Sequence, residues 1–68
     1  MHGFIEVYDE NRQSRVLINI AHIETVVEES WGCIIHLALQ NPDGNEGNVY
    51  HLKEHYESIC KKIENAQK

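Results

Sequence analysis

The sequence predicts an α+β fold: a small antiparallel sheet of about five strands, a meander or half-barrel, followed by one C-terminal helix. Three observations lead there. Short runs between residues 4 and 52 carry apolar, β-branched residues at alternate positions, the period of a half-buried strand. Polar or Gly-containing clusters separate these runs and favour turns. From Tyr56 the apolar spacing changes to that of an amphipathic helix.

Each element follows in order. Phe4 to Tyr8 alternates, with Ile5 and Val7 on one face and Phe4, Glu6 and Tyr8 on the other. Asp9 to Gln13 is a polar turn, and Arg15 to Ile20 is a second strand that closes a hairpin with the first. Ala21 to Ile23 is a corner, where the Asn19 side chain is expected to satisfy backbone groups. Ile23 to Glu29 is a third strand, with Thr25 and Val27 opposite Glu24, Val26 and Glu28. Ser30 to Gly32 turns the chain into a fourth strand, Cys33 to Gln40. Asn41 to Asn48 is a polar loop in which Asp43-Gly44 suits a hairpin turn, and Val49 to Leu52 is a short fifth strand. Tyr56, Ile59, Cys60 and Ile63 then form one helical stripe, and the tail after Glu64 is expected to fray. Leu17, Val26 and Ile34 are left on the sheet face away from the helix.

With 68 residues the chain is a single domain, 1–68. A domain of this size buries only about 60% of the surface its unfolded chain exposes, so association with further copies is a natural source of stability. Together with the apolar residues left over on one sheet face, this predicts a homo-oligomer. Six Lys and Arg against eleven Asp and Glu give a formal charge of −5. That balance argues against nucleic acid as a partner, because such binders present a basic face. The opening MHGFIEVYDE has neither a basic n-region nor an apolar h-region, and no run is long enough to span a bilayer. A cytoplasmic protein that does not contact membrane is expected. Two cysteines, Cys33 and Cys60, are fewer than a small disulfide scaffold carries, and both fall on apolar faces as buried thiols would.

The blocks VLINIAHIETVVEE and VYHLKEHYESICKKIE resemble two blocks of the FlbD-like family of small bacterial and phage proteins. Residue by residue, Asn19 matches the corner Asn of that family, Ile23 the apolar position after it, and Lys53-Glu54 the strand-to-helix junction. The sequence departs from the family's pattern at His55, where Ser is usual, and in the longer loop from Asn41 to Asn48. The family's name refers to flagellar and swarming regulation. The resemblance therefore implies a regulatory module and brings no catalytic residue with it.

Few residues carry chemistry. His51-Leu-Lys-Glu-His55 reads H-x-x-E-H, a zinc-peptidase pattern, which requires both histidines on one helix. The helical stripe begins only at Tyr56, so His51 is expected to close a strand and His55 to cap the helix at its N-terminus. The pair remains a weak metal candidate, and no cofactor is expected. Asn41, Asp43, Asn45 and Glu46 resemble part of a calcium loop but lack its spacing. Trp31 at a loop tip suits an interface anchor or a stacking platform, and equally a ring folded over the sheet edge. Arg12 and Arg15 flank the first turn and, with Lys53, suggest an anion clamp, while Tyr8 and Tyr50 offer rings for stacking.

The expectation is thus a non-enzymatic interaction or regulatory module that forms a homo-oligomer and binds a protein partner. The alternative is an oligomeric phage-type sponge that sequesters a small anionic ligand, such as a signalling nucleotide, between subunits. A zinc-dependent hydrolase is a distant third. The binding residues in either of the first two cases are Arg12, Arg15, Trp31, Lys53, Tyr50 and Tyr8.

Overall fold

A computed structural model of the chain describes residues 2–38 and 49–67. The elements run β1 (Phe4–Asp9), β2 (Ser14–Asn19), a 3-10 turn (Ile20–His22), β3 (Ile23–Glu29), β4 (Gly32–Leu37), β5 (Val49–Leu52) and α1 (Tyr56–Ala66). The fold is α+β with two small antiparallel sheets and a C-terminal helix. β1 and β2 form a two-stranded hairpin, and β3, β4 and β5 form a three-stranded sheet in that order.

This corrects the expectation of one continuous sheet of about five strands. The cause is the corner. Asn19 accepts a hydrogen bond from the Ala21 N–H at 3.0 Å and caps the 3-10 turn, which redirects the chain between β2 and β3. Among the described residues β2 and β3 do not pair. The two sheets meet elsewhere, where the Glu10 N–H after β1 donates to the His51 carbonyl of β5 at 2.8 Å.

The register shows why these runs are strands. In the hairpin Ile5 pairs with Ile18 and Val7 with Val16, all facing inward, while Tyr8 pairs with Arg15 and Glu6 with Leu17 on the outer face. In the second sheet the rows Cys33–Leu52 and Ile35–Tyr50 face the core. The pairing of β3 with β4 shifts register between Ile23 and Thr25. That irregularity turns Val26 inward, opposite Ile35, and Val27 outward, opposite Ile34. Val26, expected on the outer face, therefore belongs to the core, and Val27, expected on the opposite face, lies outward beside Ile34 and is 40% exposed.

β4 ends at Leu37, short of the expected Gln40, and β2 runs Ser14–Asn19, one residue earlier than expected. Leu39 and the Asp43-Gly44 turn lie outside the described residues. α1 begins at Tyr56 as its stripe predicts, but the buried side is Ile59, Ile63 and Ala66, with Tyr56 exposed. The end of the helix is not frayed through Ala66: that side chain is buried and its carbonyl accepts from the Gly3 N–H at 2.9 Å. Lys62 ties the helix to the rest, donating to the Glu6 carbonyl at 2.9 Å and to Glu54 at 2.8 Å. At the β3–β4 turn Gly32 has φ +154°, and a Cβ there would collide with the Leu52 carbonyl, so the close approach of β5 requires glycine. Among the described residues no helix is long and apolar enough to cross a membrane.

Candidate binding site

The alternation that buries Ile5 and Val7 continues one step further and buries Asp9. A buried carboxylate must be paired and hydrogen-bonded, and the neighbouring turn supplies the partners. Arg12 places its guanidinium on one Asp9 oxygen in a close ion pair. The other oxygen accepts from the His51 N–H at 3.1 Å and the Asn11 N–H at 3.3 Å. Burial pushes the Asp9 carboxyl up. The Arg12 hydrogen bond, the His51 and Asn11 N–H groups and the Arg12 charge more than offset it and hold the acid below its ordinary range.

Asp9 thus fixes β5 against the end of β1. Arg12 also lies over the Tyr50 ring, its guanidinium carbon 4.5 Å from the ring centre, in a cation–π contact. On the opposite side of β5, the Asn11 amide sits 2.8 Å from His51 Nδ1. The amide N–H donates to Nδ1 in the tautomer that carries the ring proton on Nε2. The His51 ring stacks on Trp31, with centroids 6.0 Å apart and planes inclined by 22°.

Glu10, Asn11, Trp31, His51 and Lys53 together line an open cleft of about 550 Å³. Three segments distant in sequence build it: the β1–β2 turn, the β3–β4 turn and β5. Lys53 is 79% exposed at its rim, with its ammonium 3.7 Å from Glu10.

Of the residues predicted from sequence, Arg12, Trp31, Tyr50 and Lys53 converge around β5. Tyr8 and Arg15 do not. They face each other on the outer side of the hairpin. Nor is Arg12 an open anion clamp, because Asp9 and Tyr50 already engage its guanidinium. The histidines of the H-x-x-E-H string are separated by structure: His51 lies in β5, and His55 precedes α1 without capping it through its side chain. Glu54 between them accepts from Lys62 and from the Ser58 hydroxyl. Among the described residues no three His, Cys, Asp or Glu side chains are grouped to hold a metal. Both cysteines are free thiols, and burial, with Glu54 and Cys60 nearby, raises the Cys33 pKa, opposite to what an activated thiolate needs.

Sequence reasoning missed Asp9, Glu10 and Asn11, which it read as a solvated turn. A signal for Asp9 was present: it is the third inward position of Ile5, Val7, Asp9. No protein-family model matches the chain, and neither the curated proteins nor the solved structures contain a significant match to it.

Proposed function

We propose that the chain is a non-catalytic interaction module that self-associates in the cytoplasm and binds a protein partner, in keeping with its resemblance to the FlbD-like regulators. The observation that carries this reading is the outer face of the three-stranded sheet. Val27, Ile34 and His51 form one cross-strand row there, and Trp31 stacks at its end. Trp31 is 47% exposed, and Val27, at the opposite end of the row, is 40% exposed. An apolar row with an exposed Trp at its end suits an interface, where aromatic anchors contribute most of the binding energy. β2 and β3 each pair on one side only among the described residues, which offers further backbone for association.

Native mass spectrometry of the wild type and of Val27→Lys tests it. The expected result is an oligomer in the wild type and a monomer in Val27→Lys, since the substitution places a charge at the exposed β3 end of the row. A wild type that stays monomeric across the concentration range sinks the self-association. A second reading, a small anionic ligand, draws on one observation: Lys53 and Trp31 line the same cleft.

A further inference from the structure

We infer that the cleft between Trp31 and Lys53 binds a planar aromatic ring carrying one anionic group, the chemistry shared by nucleotides and aryl carboxylates. The inference deepens the small-ligand reading and is independent of self-association, because one chain supplies every residue of the cleft.

The shelf for the ring is built in advance. His51 is held through its main chain by the Asp9 carboxylate and the Glu10 N–H, and through its ring by Asn11. Trp31 stacks on that immobilised ring with almost half of its surface still exposed. A flat ligand can stack there without first ordering the platform, and ordering is a large part of what weakens binding at exposed aromatics. A stacked ring needs little sequence of donors and acceptors to bind, because every aromatic ligand presents a π-face.

Charge sets the second half of the ligand. Among the described residues Lys53 is the one Lys or Arg lining the cleft, and its contact with Glu10 is long, at 3.7 Å. A phosphate or carboxylate next to the stacked ring can take Lys53 from Glu10. Glu10 faces the same space and opposes any anion, so it limits affinity and selects ligands of low charge. The chain's overall charge of −5 acts in the same direction. A compact anion with a ring to stack is therefore favoured over a polyanion that depends on charge alone.

Trp31 is the only tryptophan of the chain, so its fluorescence reports directly on the cleft. Titration with adenosine monophosphate and with nicotinate should quench it saturably. Adenosine and nicotinamide, which keep the ring and lack the charge, should bind about three- to tenfold more weakly, as expected for one exposed charge contact. Whichever anion binds tighter identifies the ligand family. Lys53→Gln should erase the preference for the charged member of each pair, and Glu10→Gln should strengthen it. Both side chains lie at the rim, and the Glu10 N–H that holds His51 is unchanged by the substitution. No saturable quenching by either anion overturns the inference. So does equal affinity for charged and neutral partners, or equal quenching by inorganic phosphate alone. A monomer that shows the expected quenching supports the cleft while removing the self-association proposed above.

Discussion

Two neighbouring residues of β5, Leu52 and His51, are held by different physics. At Leu52 the chain is locked by apolar packing: Leu52 pairs with Cys33, and Ile35 and Ile59 complete a fully buried group beneath α1. At His51 it is locked by charge and hydrogen bonds, with Asp9 gathering Arg12, Asn11 and the His51 N–H. Apolar packing is tolerant of small shifts and indifferent to pH. The polar latch is directional and fails when one partner is lost, since a buried carboxylate without its donors is costly. The cleft sits on the polar side. The ligand platform therefore depends on the part of the molecule that is most exact in geometry and most sensitive to conditions.

The largest effect should come from the apolar side. Ile59→Ala empties a site that is fully buried in the core, and such truncations cost about 2–5 kcal/mol. In a domain this small that is a large fraction of the total stability. Chemical denaturation should show a midpoint far below the wild type, or a chain already partly unfolded in buffer. A loss under about 1 kcal/mol would mean that α1 contributes far less to the core than its buried face implies.

Next in size is Asp9. Asp9→Ala removes the acceptor from three donors and leaves the Arg12 guanidinium without its ion-pair partner, for an expected loss of about 2–3 kcal/mol. The acid dependence separates it from the apolar side. A carboxyl whose pKa is lower in the folded chain than in the unfolded one stabilises the fold at pH values above its ordinary 3.8. That contribution fades as the pH falls below 3.8 toward the folded value. Wild-type stability should therefore drop in that acid range, and Asp9→Asn should flatten the drop. Ile59→Ala should lower the whole curve while keeping its acid limb. An acid limb that is the same in Asp9→Asn and wild type would assign the pH response to other carboxylates.

The apolar side was legible in the sequence, and the polar side was not. Ile59 and Ile63 announce themselves by helical spacing, and Ile5, Val7, Ile18 and Ile35 by alternation, because a face that must exclude water repeats with the period of its element. Asp9 obeys the same alternation, but its residue type reads as a turn former, and composition overrode position. The partners of Asp9 come from residues 11, 12 and 51, and no local pattern shows that a strand 42 residues away will present its N–H. The register shift that exchanges Val26 for Val27 is equally invisible, since one extra residue in a strand leaves no mark on an otherwise β-branched run. The split into two sheets depended on Asn19: its role at the corner was readable, but the direction in which the corner sends the chain was not. Trp31, Lys53, Arg12 and Tyr50 were picked out as separate residues by their chemistry. Their convergence on β5 required the structure.

The smallest predicted effect sharpens the comparison most. Arg12→Lys keeps the positive charge next to Asp9 and removes the planar guanidinium that lies over Tyr50. If the latch were a matter of charge alone, Lys would replace Arg without loss. The geometry argues otherwise. One guanidinium reaches the Asp9 carboxylate while its flat carbon centre covers the Tyr50 ring, and it directs a further N–H toward the Val49 carbonyl at 3.5 Å. An ammonium is a point charge on a flexible stem and cannot hold the carboxylate and cover the ring in one pose. Arg12 is partly exposed, which limits what the contact contributes, so the expected loss is about 1 kcal/mol. The acid limb should persist in Arg12→Lys, because Asp9 keeps its two backbone donors and a nearby cation. Thermal or denaturant unfolding of Arg12→Lys and Arg12→Ala side by side decides it. Equal losses in the two variants assign Arg12's contribution to the planar stack, and full recovery by Lys assigns it to charge.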